Sequence, residues 1–358
     1  MEGVIKNLIE AYLFVTASLC YCYFISSKIR KGVFRLVSLI PVFCLYLFLP
    51  LHLSSAFLTA LTAFFITWLA SFKLLLFAFD LGPLSSKPSK SLPLFITVAC
   101  LPIRITNTNP GRKSQVLNKS RKLPLNLGTE LVFMSVLIAV VRNYRDLLHT
   151  KVVVVMYCCL VFLMVDVLIA MSNVVVKTAM GPEAELEPPS DEPYLATSLQ
   201  DFWGRRWNLM VTNSLRETVF RPVKLVLEGM VGPQWAALLA VMAAFVVSGL
   251  MHELLFYYVT PEVPPSWKMT GFFVLQGVCV VTEFLVKRWI GGRWRLPPAV
   301  SMPLTVGFVA VTGFWLFFPP VMSTGADVRV IEEFKMFWDF VKGILISAGE
   351  KIAWMLSL

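Results

Sequence analysis

The feature that most constrains this chain is a succession of apolar runs, each long enough to cross a bilayer. A hydrocarbon core about 30 Å thick needs about 20 predominantly apolar residues in helical form. Runs of that kind cover residues 7–27, 33–53, 55–79, 131–148, 152–171, 234–259, 268–286 and 299–318. Lipid offers no partner to an unpaired backbone N–H or C=O, so a spanning segment is either a helix or a strand of a closed barrel. The runs are continuous rather than alternating, which selects the helix. The expected fold is therefore an all-α polytopic membrane bundle, with residues 1–358 forming one embedded domain.

Composition agrees with this reading. Hydrophobic residues make up 57% and charged residues 15% of the 358, against roughly 45–50% and about 25% in globular chains. The first run carries Glu10 and lacks both a basic start and a small-residue cleavage site, so it reads as a permanent span. Two stretches are less defined. Residues 92–103 are too short to cross and suit a re-entrant or interfacial helix, whereas residues 334–358 suit a ninth span or an interfacial helix, because Lys335, Asp339, Lys342, Glu350 and Lys351 interrupt apolar sequence. No internal repeat is evident.

The net charge of +10 belongs to short loops between spans, which points to membrane topology and anionic headgroups and away from nucleic acid. About two-thirds of the basic residues fall on one side if the 28–35 loop is cytosolic, which places the N-terminus outside the cytosol. The long loops 80–128 and 172–233 are then cytosolic. The seven cysteines lie within apolar runs at no metal-ligand or disulfide spacing, and read as small buried hydrophobes. No metal site is expected.

Two constellations carry chemistry. His252 and Glu253 lie well inside the run 234–259, where His252 stands about 8 Å past the middle at 1.5 Å per residue. Ionisable residues at such depth cost roughly 2.5–3.5 kcal/mol on insertion scales and mark functional sites. Ser248 shares a helical face with His252, while Glu253 points about 100° away. The second constellation runs from Ser198 to Pro222. Ser198 with Asp201 has the spacing of a helix start, and Pro222 reads as its stop. Trp203, Trp207 and Val211 form an aromatic and apolar stripe flanked by Arg205, Arg206, Arg216 and Arg221. That pattern suits an interfacial anchor, or a phosphate-binding surface in which Asn208 orients a carbonyl. His52 and His149 read as ordinary interfacial side chains. No G-x-S-x-G elbow, Walker loop, G-x-G-x-x-G or H-E-x-x-H is present, so serine hydrolase, NTPase, dinucleotide and zincin chemistry lack support. A transporter remains an alternative, although repeats between halves and broken helices are not apparent.

The segment Asp201-Phe-Trp-Gly-Arg-Arg-Trp-Asn208, followed by Ser248-Gly-Leu-Met-His-Glu253, resembles the plant wax synthase branch of the membrane-bound O-acyltransferase superfamily. The similarity extends over the whole chain in length, span pattern and basic loops. It implies a bundle of about eight or nine spans, a multi-pass place in the endoplasmic reticulum membrane, acyl-CoA as co-substrate with no other cofactor, and a long-chain alcohol as acceptor. A sterol is the competing acceptor. The resemblance places catalytic roles on His252 and Asn208, with Ser248 and Glu253 as supports. It also suggests that Trp203, Arg205, Arg206 and Trp207 bind acyl-CoA, with the 112–122 stretch as their competitor.

Overall fold

A computed structural model describes residues 2–85, 91–102, 127–180, 190–291 and 296–336, with positions 339, 342 and 343 near the C-terminus. The basic 112–122 stretch and most of 334–358 therefore lie outside the described residues. Helices occur at α1 (Glu2–Phe24), α2 (Val33–Phe48), α3 (Ala56–Ala78), α4 (Leu92–Cys100), α5 (Leu127–Tyr144), α6 (Thr150–Met180), α7 (Leu209–Leu215), α8 (Arg221–Val231), α9 (Pro233–Val259), α10 (Lys268–Ile290), α11 (Pro298–Thr312) and α12 (Phe318–Ser323). A further helical stretch covers 326–336. Among the described residues there is no strand, and eight helices are long and apolar enough to cross a membrane. These eight coincide with the eight expected spans. The chain is a multi-pass membrane protein.

Side-chain distribution follows from the lipid solvent. Leu13, Phe14, Val33, Phe34, Val132, Leu304 and Trp315 point outward from the bundle, an arrangement that water would penalise and hydrocarbon accepts. Interior packing joins α1, α2, α3 and α4 through Leu19, Leu39, Tyr46, Trp68, Leu74 and Phe95. The short α4 packs one face, Phe95, Val98 and Ala99, into the bundle, while Pro93 on it is exposed. Cys22 is buried, but Cys44 faces outward and departs from the expected burial of the cysteines.

Helices α9 and α10 approach each other closely. A Cβ added at Gly249 would sit 3.0 Å from the Thr270 Cα, and one at Gly277 would sit 2.9 Å from the Phe245 Cβ. Glycine at these two points lets the backbones approach, as small residues do between membrane helices. The approach brings Phe273 against the His252 ring, with centroids 4.3 Å apart.

Helix ends inside the bundle are closed by charged side chains from elsewhere in the chain. Glu253 accepts from the Trp267 and Thr270 amides (2.7 and 3.1 Å) at the start of α10. Glu333 accepts from the Ala56 and Phe57 amides (2.6 and 2.8 Å) and the Ser55 hydroxyl at the start of α3. At the opposite polarity, Lys73 donates to the Val98 and Leu101 carbonyls (2.6 and 2.5 Å) at the end of α4. Arg35 donates to the Phe77 carbonyl near the end of α3 and to the Ser27 and Ile29 carbonyls after α1. Anions at helix starts and cations at helix ends complement the helix dipole.

Lys73→Met retains most of the side-chain volume and leaves two inward carbonyls without a donor, at about 1–3 kcal/mol. Size-exclusion of detergent-solubilised protein after a temperature ramp is expected to show a midpoint several degrees lower. A midpoint equal to the native one contradicts this role for Lys73.

Candidate active site

The stretch after Ser198 begins as expected, with the Ser198 hydroxyl accepting from the Asp201 amide at 3.1 Å. It does not continue as one helix to Pro222. A three-residue turn, Leu199–Asp201, passes into a π-helical segment, Phe202–Arg206, and the chain then breaks at Asn208, whose φ is +39° and ψ +67°. Asparagine tolerates this left-handed conformation better than most residues. Its Oδ1 also accepts from the Val211 amide at 3.2 Å and so caps α7. Among the described residues the Asn208 Nδ2 has no acceptor, which leaves it available as a donor. Pro222 stands in the first turn of α8, where its missing N–H is tolerated, and a second π-helical segment, Arg216–Phe220, precedes it. Pro222 therefore permits the helix that the sequence suggested it would end.

The break turns the aromatic stripe inward. Trp203 lies against Phe245, Phe272 and Phe273, and Trp207 stacks on Phe202 at 5.8 Å and 10°. The Trp203 Nε1 donates to Gln276 Oε1 (3.1 Å), and Gln276 Nε2 donates to the Thr312 hydroxyl (2.8 Å). Gln276 is fully buried, so this chain pins the indole across three helices. The stripe is part of the interior, and an interfacial-anchor role does not describe it.

A cavity of about 580 Å³ runs between these elements and α9 and α10. Its wall includes Trp203, Trp207, Asn208, Ser248, His252 and Phe273. Asn208 and His252 are 44 positions apart in the sequence, and the fold brings both to one chamber. From Gln234 to His252 the lining follows about 27 Å of α9 at 1.5 Å per residue.

His252 Nδ1 lies 2.7 Å from the Ser248 carbonyl oxygen. A carbonyl only accepts, so Nδ1 carries the proton and, in the neutral ring, Nε2 is left with a free lone pair. Ser248 thus holds the imidazole through its backbone, where the sequence had suggested the hydroxyl. The ring is boxed by Phe273, Trp68 (5.1 Å, edge-on) and Phe317 (5.9 Å). Trp68 and Phe317 both sit in π-helical segments, Ala63–Ala70 and Gly313–Phe317. All four π-helical segments among the described residues thus border this site, as extra-residue turns often do at functional positions.

Other expected residues lie elsewhere. Glu253 does not line the cavity; it caps α10 and acts on His252 only by fixing the helix that carries Phe273. Arg206 Nε bonds Asp201 Oδ2 at 2.7 Å and its Nη1 bonds the Asp191 and Glu192 carbonyls, a loop-holding role outside the cavity. Arg205 is exposed and does not line it either. Arg216 does. Among the described residues no three His, Cys, Asp or Glu side chains converge as metal ligands do.

The profile of the Membrane bound O-acyl transferase family matches residues 186–275, a span that holds both the Asn208 and the His252 segments. The similarity to curated proteins runs much further. The long-chain-alcohol O-fatty-acyltransferase of Simmondsia chinensis is 43% identical over 96% of this chain and 97% of its own length. The chain belongs to the membrane-bound O-acyltransferase family. Two further relatives from Arabidopsis thaliana are each 44% identical: a probable long-chain-alcohol O-fatty-acyltransferase 1, over 96% of this chain and 98% of its own, and an acyl-CoA–sterol O-acyltransferase 1, over 92% and 94%. In this family member, the cavity described above unites the two matched segments.

The two duties of Asn208 can be separated. Asn208→Asp keeps an oxygen to cap α7 and a residue that tolerates positive φ, but removes the amide donor. It is expected to express and elute as the native protein does while losing acyl transfer. Asn208→Val removes the cap and forces a β-branched residue into the left-handed region. Its folded yield in size-exclusion is expected to fall several-fold. Full activity in Asn208→Asp contradicts the donor role.

Proposed function

We propose that this protein transfers a fatty acyl group from acyl-CoA to a long-chain alcohol, making a wax ester, with His252 as general base. The observation that carries the reading is the bare His252 Nε2, oriented by the Ser248 carbonyl, in an apolar cavity that Asn208 also lines. The alcohol oxygen attacks the thioester carbonyl carbon as Nε2 takes the hydroxyl proton. The C–S bond then breaks, and the imidazolium returns that proton to the departing thiolate, which leaves ester and free CoA. The Asn208 Nδ2 donates to the oxyanion that forms between the two events. No acyl-enzyme is required, and an apolar chamber keeps out water that would hydrolyse the thioester.

Both organic substrates suit the site for physical reasons. The lining beyond Ser248 is mainly Val, Ala, Leu and Phe side chains of α9 and α10, which takes a hydrocarbon chain. The lipid acceptor arrives from the bilayer and the donor from the cytosolic face, which the basic loops mark in the positive-inside sense. The endoplasmic reticulum, where acyl-CoA and long-chain alcohols meet, is the membrane we assign. A sterol acceptor is the second reading, favoured by the 44% identity to a protein named for that activity.

The test uses membranes from a host lacking its own neutral-lipid acyltransferases, supplied with labelled palmitoyl-CoA and, in turn, hexadecanol, a sterol and diacylglycerol. Wax ester is expected as the dominant product. At equal expression, His252→Ala is expected to lower its rate by about 10²–10⁴-fold. Sterol ester as the dominant product selects the second reading. Ester formation unaffected by His252→Ala contradicts the assignment of the base.

A further inference from the structure

Among the described residues, 23 line the cavity, and of these Arg216 alone carries a permanent charge. Its guanidinium is held in place by neutral acceptors: Nη1 donates to Asn213 Oδ1 and Nη2 to the Gly204 carbonyl, each at 3.2 Å. The neighbouring carboxylate, Glu217, is engaged by Arg221 at 2.6 Å. Among the described residues Arg216 has no carboxylate partner, in contrast to Arg206 on Asp201 and Arg145 on Asp327. A cation oriented by neutral groups keeps its charge and its remaining N–H donors for a ligand.

The position of Arg216 suits a particular ligand. It is exposed and opens the π-helical segment Arg216–Phe220, so it stands at the mouth of the cavity. Asn208 lies eight residues earlier, about 12 Å along the helix at 1.5 Å per residue. Its anchor, Gly204, belongs to the same π-helical segment as Trp203, so the guanidinium is tied to the cavity wall itself. We propose that Arg216 binds the phosphate groups of the thioester donor, and that it, rather than Arg205 or Arg206, sets the donor's position. The planar fork matches phosphate oxygens. The pantetheine arm then leads inward past Asn208 and presents the thioester to His252. This inference rests on the acyl-CoA reading above and adds the residue that recognises the donor's anionic end.

The experiment compares the native protein, Arg216→Gln, Arg216→Lys and, as a control away from the cavity, Arg288→Gln. Each is assayed with hexadecanol and either palmitoyl-CoA or palmitoyl-pantetheine, which has the same thioester and no phosphates. Arg216→Gln is expected to raise the KM for palmitoyl-CoA about tenfold, the loss of one charge-assisted contact. The KM for hexadecanol and the rate with palmitoyl-pantetheine are expected to stay as in the native protein. Arg216→Lys, which keeps the charge without the fork, is expected to fall between. Equal losses with both donors, or an unchanged KM for palmitoyl-CoA, overturn the proposal.

Binding of radiolabelled desulfo-CoA to protein in phospholipid-free detergent separates this proposal from the activity reading and the donor from a lipid headgroup. Weaker binding to Arg216→Gln supports the site even if no alcohol is esterified. Equal binding to the native and Arg216→Gln proteins overturns it even if wax ester is made.

Discussion

The constraint on which this structure depends is that helix ends packed against other helices must find partners for their backbone groups. Each helix start leaves unpaired amides and each helix end unpaired carbonyls, and burying them without a partner is costly. Here the partners are charges borrowed from other helices. Glu253 serves the start of α10, Glu333 the start of α3, Lys73 the end of α4 and Arg35 the end of α3. Glu283 adds a fifth case, accepting from the Gln200 amide beside the Ser198 turn. Every one obeys the dipole sign rule. Charges that a hydropathy reading treats as intrusions into spans are thus the fasteners between helices.

That fastening delivers the chemistry. Glu253 fixes where α10 begins, Gly249 and Gly277 let α10 approach α9, and the two together set Phe273 against the His252 ring. The Trp203–Gln276–Thr312 chain holds the opposite wall. The π-helical segments border the same site: Phe202–Arg206 and Arg216–Phe220 supply Trp203, Arg216 and Phe220 to the cavity wall, and Ala63–Ala70 and Gly313–Phe317 supply Trp68 and Phe317 to the His252 ring. The resulting site is closely packed around the imidazole and apolar along the channel, with Arg216 the one arginine on its wall among the described residues.

The spans were legible because a membrane imposes a length and a composition on them, and a run of apolar residues reports both. His252 was legible for the same reason, as a titratable group at a depth where such groups are costly. Asn208 stood out for its paired donor and acceptor groups, and its catalytic role came from the resemblance, since nothing local to it predicts that it shares a chamber with a residue 44 positions on. What escaped was long-range or conformational. A single residue at positive φ breaks the helix at Asn208, and composition carries little signal for that. Pro222 looked like a stop because its effect depends on the π-helical turn before it. Whether Glu253 serves a neighbouring helix or the cavity, and what Arg206 bonds, is not written in the local sequence, because a carboxylate or guanidinium is assigned by its partners, and the Trp267 amide and the Asp191 carbonyl are fixed only by the fold. Arg216 differs from Arg205 and Arg206 solely in where the folded chain puts it.

The central claim is that His252 offers a bare Nε2 to the acceptor because the Ser248 carbonyl holds the proton on Nδ1. The protein has three histidines, so uniform ¹⁵N-histidine labelling in lipid gives a spectrum simple enough to assign His252 by its loss in His252→Ala. The account predicts a protonated Nδ1 and an unprotonated Nε2 for that ring. A protonated Nε2 with a bare Nδ1 would contradict it, for the nitrogen facing the substrate could not then accept the alcohol's proton.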